Sequence, residues 1–132
     1  MQLVTYPHPI LTQKCQGVTC FDWIPEVARA MWLKMVEWKG VGVAAPQVGI
    51  LYNLFIMNSQ DGVLAIINPK ILDESFTGET GLEGCLSLPK FQTLVTRPYR
   101  IKVSYHTHYS DIRTREFEGM EARIFMHEYD HL

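Results

Sequence analysis

Apolar residues recur at helical spacing in two stretches of this chain and at alternate or consecutive positions in several others. From Pro25 to Lys39, the apolar set Val27, Ala28, Met31, Leu33, Met35 and Val36 predicts a helix with a broad apolar face. Asp22 is placed to cap it, Pro25 suits its first turn, and Gly40 and Gly42 end it. Leu51 to Met57 and Val63 to Leu72 are strand-like runs, the second broken by Asn68-Pro69, with Gln60-Asp61-Gly62 as the hairpin turn between them. Thr93 to Val95 and Ile101 to His108 read as further strands, the latter alternating Ile101, Val103 and Tyr105 with Lys102, Ser104 and His106. Ile112 to Phe117 fits one more. Met120 to Leu132 returns to the helical pattern, with Gly119 before it and Glu121 in its first turn. Thr5 to Cys15, which carries Pro7 and Pro9, is an extended, turn-rich entry. One helix, several antiparallel strands and a C-terminal helix predict an α+β domain.

Composition narrows the class. The chain has 132 residues, 47% hydrophobic and 20% charged, which suits one globular domain over 1–132 and leaves no room for two cores. A formal net charge of −2 gives no electrostatic reason to expect a nucleic-acid or membrane-surface partner. Apolar runs such as Val63 to Ile67 are too short to span a bilayer, and residues 1–20 hold Pro7, Pro9, Lys14 and Gln16 where a secretory signal would need an apolar core. The cysteines are Cys15, Cys20 and Cys85, an odd count that argues for reduced thiols and a cytoplasmic setting. Cys15 and Cys20 read as plain buried thiols.

Candidate chemistry lies in the last helix, which carries His127, Glu128, Tyr129, Asp130 and His131. Residues four apart share a helical face, so both imidazoles can reach one metal ion, and Glu128 can reach a water beside it without ligating. Such a centre needs a third protein ligand and one open position. In the common metalloproteases that ligand follows the helix; here it must come from earlier in the chain. The candidate is Cys85, in Glu83-Gly84-Cys85-Leu86-Ser87, although a buried structural cysteine and a nucleophile fit the spacing as well. A third stretch, Gly40-Val41-Gly42-Val43-Ala44-Ala45-Pro46-Gln47, matches no phosphate-binding fingerprint. Its small residues fit either an approach by an extended peptide or a helix end followed by a tightly packed strand.

Together the three stretches resemble the peptide deformylase family, whose motifs Gly-x-Gly-x-Ala-Ala-x-Gln, Glu-Gly-Cys-x-Ser and His-Glu-x-Asp-His stand here in order and in full. Tyr6-Pro7-His8-Pro9-Ile10-Leu11 is similar to the family's N-terminal segment, so the resemblance covers almost the whole chain. It implies antiparallel strands packed around the helix that carries the His-Glu-x-Asp-His motif. It implies a hydrolase that removes the N-formyl group from the formyl-methionine of nascent polypeptides and releases formate, with metal-bound hydroxide as nucleophile. Cys85, His127 and His131 would hold the metal, natively Fe(II), with Zn(II), Ni(II) or Co(II) as substitutes. Glu128 would be the general base and acid, and Gln47 with the Leu86 N–H would form the oxyanion hole. Val41, Gly42 and Gly84 would hold the substrate peptide, Arg97 would lie near its exit path, and Met120 and Ile124 would face the methionine side chain.

The sequence departs from the family's common pattern in stopping one residue after His131. On that reading His131 sits in the last helical turn, and ribosome docking through a C-terminal extension is not expected. A short phage-encoded form and a truncated chain both fit. Arg123 is expected to lay its stem on the pocket wall with its head in solvent. Two other classes fit single features: a metallopeptidase fits His-Glu-x-x-His alone, and a catalytically silent metal- or partner-binding domain fits the short end.

Overall fold

The structure of the protein, a computed structural model, describes residues 1–132, the side chains of Pro89 and Lys90 excepted. In chain order the elements are α1 (Ile24–Glu37), β1 (Gly42–Ala44), β2 (Leu54–Ser59), β3 (Gly62–Glu74), β4 (Gly78–Cys85), β5 (Leu88–Pro98), β6 (Arg100–His106), β7 (Ile112–Glu118) and α2 (Met120–Tyr129). Short 3-10 turns lie at Pro9–Thr12 and Ala45–Val48. An antiparallel sheet runs in the order β1-β2-β3-β6-β7, and β4 pairs with β5 as a separate antiparallel ribbon. This is the expected α+β architecture.

The five-stranded sheet is covered on both faces, and period-two alternation sorts its residues between them. Leu54, Ile56, Val43 and Ile67 pack towards α1; Phe55, Met57, Ala44 and Ile66 pack towards α2. A strand buried on both sides needs apolar residues at every position, which is why Leu54 to Met57 is an unbroken apolar run. In β6, Ile101, Val103 and Tyr105 join the α2 side, as their alternation predicted.

Helix α1 meets the sheet through Ile24, Met31 and Met35, with Val27 and Ala28 partly buried. Leu33 and Val36 are exposed, so the apolar face is narrower than the sequence implied: each lies a quarter turn or more round the axis from the buried stripe. The residue before the helix is Trp23, not Asp22, and no side chain caps it. Asn68-Pro69 bulges β3 rather than breaking it. Asn68 takes φ +51, and its amide bonds both the N–H and the C=O of Val18 at 2.8 Å. Tyr52 and Asn53, expected in a strand, instead bind the N-terminal segment at Gln16. Ribbon strand β4 was not expected at all, because Gly78 to Cys85 carries almost no β-branched or aromatic residue.

Over the other face lies α2, keyed in place by Phe125. Its ring meets Phe55 edge-on at 5.0 Å and lies 5.5 Å from Phe117. Such pairs add about 0.5–1.5 kcal/mol each beyond the area they bury. The helix ends at Tyr129, short of the Leu132 expected, and the chain continues in a tighter turn through bonds from His131 N–H to Glu128 C=O and from Leu132 N–H to Tyr129 C=O. Phe125→Ala is expected to lower unfolding free energy by about 3–5 kcal/mol. Urea denaturation of the chelator-treated protein would measure it; a loss below ~1 kcal/mol would mean that Phe125 does not key the helix.

Candidate metal centre and active site

Two elements bring the predicted ligands together. Cys85 ends β4, where the ribbon register shifts, and His127 and His131 project from α2 and the turn that follows it. The ligand atoms of Cys85, His127 and His131 all lie within 4.8 Å of one another, with Cys85 Sγ 3.4 Å from His131 Nε2. The two rings stand 5.2 Å apart at 72°.

The donor set fits a divalent ion. Glu83 Oε1 lies 2.9 Å from His127 Nδ1, which holds that nitrogen as the donor and leaves the Nε2 lone pair free for a metal, the usual arrangement behind a metal-bound histidine. Burial and the neighbouring His127 hold His131 down at about 4, so it is neutral and ready to ligate at ordinary pH. Burial pushes the Cys85 thiol up, partly offset by hydrogen bonds from the Ser87 and Leu88 backbone; a cation would favour the thiolate.

Glu83 is the electrostatic hub. Burial alone would raise its carboxyl, but hydrogen bonds from Arg97, His127 and Arg123 outweigh that and hold it at about 2. Arg97 forks onto both its oxygens, Nε at 3.0 Å and Nη2 at 2.9 Å, and also reaches Asp130. Arg123 Nη1 donates to Glu83 at 2.7 Å and to the Val95 carbonyl at 3.0 Å, and its Nη2 donates to the Glu79 carbonyl at 2.6 Å. Its head is therefore pinned inside, not free in solvent as the sequence suggested. Gly81 makes room for it: a Cβ there would lie 3.2 Å from Arg123 Cζ.

Beside the ligands, Gln47 is buried, its Oε1 accepting from Ala44 N–H at 2.9 Å and its Nε2 donating to Cys85 Sγ at 3.3 Å. Glu128 is buried too, against the bare backbone of Gly42. A Cβ there would stand 2.8 Å from Glu128 Oε2 and 2.9 Å from its Cγ, closer than atoms pack. Burial, with the negative charge of Glu83 nearby, pushes the Glu128 carboxyl up to about 8.

A cavity of about 380 Å³ opens over these groups. Gln47, Cys85, Leu86, His127 and Glu128 line it together with the apolar side chains of Val41, Met120 and Ile124, and Gly42 and Gly84 border it. His131 reaches the centre through its contact with Cys85. Arg97 is not among the lining residues; its guanidinium is committed to Glu83 and Asp130. Glu83 itself was overlooked as a functional residue. The signal was available: two residues from Cys85 on a strand, it shares that cysteine's face.

The profile of the polypeptide deformylase family matches residues 1–132. The chain belongs to that family. It is an enzyme, and removal of formyl groups from nascent peptides is the family's activity. Among relatives, the peptide deformylase of Thermotoga neapolitana is 41% identical over 128 residues, covering 96% of this chain and 78% of the relative. That of Clostridium botulinum is also 41% identical over 128 residues, covering 96% and 86%. The crystal structure of peptide deformylase from Thermotoga maritima superposes with a TM-score of 0.97 at 39% identity, covering 99% of this chain and 90% of that one. A probable peptide deformylase from Synechococcus phage S-SSM7 gives 0.94 at 31%, covering 99% and 93%.

Replacing the hub tests its part in the deformylase site. Glu83→Ala removes the carboxylate that two guanidinium groups share and is expected to destabilise the fold by about 3 kcal/mol. It should also weaken metal binding about 10–100-fold, because His127 loses the group that orients it. Urea denaturation and a metal-competition titration would measure the two effects; unchanged metal affinity would show that Glu83 does not orient the ligand.

Proposed function

We propose that this chain hydrolyses the N-formyl amide of formyl-methionyl peptides, with a divalent ion held by Cys85, His127 and His131. The observation that carries the reading is convergence. Three ligand atoms lie within 4.8 Å of one another, and two of those ligands, Cys85 and His127, line one cavity together with a buried carboxyl group, Glu128, and a side-chain amide donor, Gln47. Fe(II) is the proposed native ion, and Zn(II), Ni(II) or Co(II) would suit the same Cys/His₂ donors. Bound there, such an ion would acidify a water molecule and polarise the formyl oxygen.

The chain's own groups do the rest. Glu128 takes the proton from the attacking water and returns it to the leaving amine nitrogen, which releases formate and a free α-amino group. Gln47 Nε2, and in this reading the Leu86 N–H, stabilise the charge that develops on the formyl oxygen; loss of one such donor typically costs about 3 kcal/mol. Strand β1 is the edge of its sheet and borders the cavity, which suits an extended substrate adding to Val41 and Gly42 as a further strand. Met120 and Ile124 offer an apolar surface to the methionine side chain. Nascent chains as substrate put this work in the cytoplasm.

Protein loaded anaerobically with Fe(II) is expected to release formate from a formyl-Met peptide. Glu128→Ala should keep its metal but lose at least about a hundredfold in kcat. Absence of formate from protein shown to carry metal would remove this reading, and metal retained unchanged by Cys85→Ser would favour a peptidase-type site. Gly42→Ala is a finer check. Its methyl group would displace the Glu128 carboxylate, so kcat should fall with bound metal unchanged, and a wild-type kcat would show that the close approach is not needed.

A further inference from the structure

We propose that Ser87 is a positioning residue for Gln47, and that its hydroxyl, anchored on the N-terminal segment, holds the Gln47 amide in its donating orientation. The inference rests on the deformylase reading, in which Gln47 Nε2 meets the formyl oxygen. Ser87 is buried and is not among the residues that line the cavity.

Proton accounting sets the direction of each bond. Ala44 N–H donates to Gln47 Oε1 at 2.9 Å, so that end of the amide must be the oxygen and the other the NH₂ group. The NH₂ group faces two acceptors, Cys85 Sγ at 3.3 Å and Ser87 Oγ at 3.1 Å. Ser87 has a single hydroxyl hydrogen and gives it to the Val4 carbonyl at 2.7 Å, so only a lone pair faces Gln47. A one-way relay results, from Gln47 N–H to the Ser87 hydroxyl to Val4 C=O. With one N–H held on Ser87, the planarity of the amide directs the other to the sulfur side, where the ligands converge.

The anchor is itself tied down. Val4 N–H donates to the Gln47 carbonyl at 2.7 Å, and Tyr6 N–H donates to the Ser87 carbonyl at 3.0 Å. Residues 4–6 therefore bridge the turn that carries Gln47 and the turn that follows Cys85. The last residue of the Glu-Gly-Cys-x-Ser motif thus has work to do at Gln47, although it does not line the cavity.

The test compares Ser87→Ala, Ser87→Thr, Gln47→Ala and the Ser87→Ala/Gln47→Ala pair in metal-loaded protein. Ser87→Ala is expected to lower kcat about tenfold with KM and metal content unchanged, because the amide loses its orientation and not its donor. Ser87→Thr keeps the hydroxyl and should recover most of that loss. The pair should be no slower than Gln47→Ala alone, since no amide remains to be positioned. A parent-like kcat in Ser87→Ala, loss of metal along with activity, or losses that multiply in the pair would each overturn the proposal. One readout does not need turnover: in ¹⁵N-labelled zinc-loaded protein, the Gln47 side-chain amide signals are those missing from Gln47→Ala. Ser87→Ala should shift them and speed their exchange with solvent, and unchanged signals would again overturn the proposal. If the parent releases no formate, the deformylase reading fails, while these signals still decide whether Ser87 holds the amide.

Discussion

The Glu83 carboxylate, buried between the β4–β5 ribbon and α2, accepts hydrogen bonds from Arg97 of β5 and from Arg123 and His127 of α2. An anion removed from water must be compensated in place, and here the compensation comes from the parts that have to be brought together. Arg123 ties α2 to the ribbon through Glu83 and two of the ribbon's backbone carbonyls. Arg97 carries the tie on to Asp130, beside the second histidine. The same carboxylate therefore orients one ligand ring and fixes the distance between the cysteine and histidine halves of the centre.

A second constraint is closeness of backbone. Glu128 cannot sit where it does unless the strand opposite lacks a side chain, and Gly42 meets that requirement. Its neighbours Val43 and Ala44 are fully buried, one towards each helix. The edge strand β1 is thus held on both faces while its outer edge stays open at the cavity. Rigid flanks with an open edge would suit the proposed addition of a substrate peptide to this strand.

How much was legible in the sequence follows from the range of each interaction. Local patterns carried the two helices, the alternation of Ile101, Val103 and Tyr105, the hairpin at Gln60 to Gly62, and the ligands on α2, because each depends on spacing along one element. Strand β4 was not legible because its residues have no preference for a strand and take that form only by pairing with β5. Arg123 was placed wrongly for a related reason. A charged side chain in isolation reads as solvated, and it takes the distant Glu83, with the Val95 and Glu79 carbonyls, to make burial of its head favourable. Asp22 resembles a cap, yet the chain turns one residue later, at Trp23.

The position of the second histidine follows from the same network. α2 stops at Tyr129, and an imidazole on a terminal turn would ordinarily fray. Three restraints oppose that here: the turn's own bonds to Glu128 and Tyr129, the Arg97–Asp130 pair, and the contact of His131 with Cys85. Two of the three run to the ribbon, so the ribbon that supplies the cysteine also secures the last histidine. A metal ion bound across that junction would close it a second time and stabilise the fold in proportion to the logarithm of its free concentration over Kd. Glu83 and the ion thus act on one junction from opposite sides, one from behind the ligands and one in front. Removing the ion leaves the Glu83 clasp in place, whereas removing Glu83 loosens the junction that the ion must bridge.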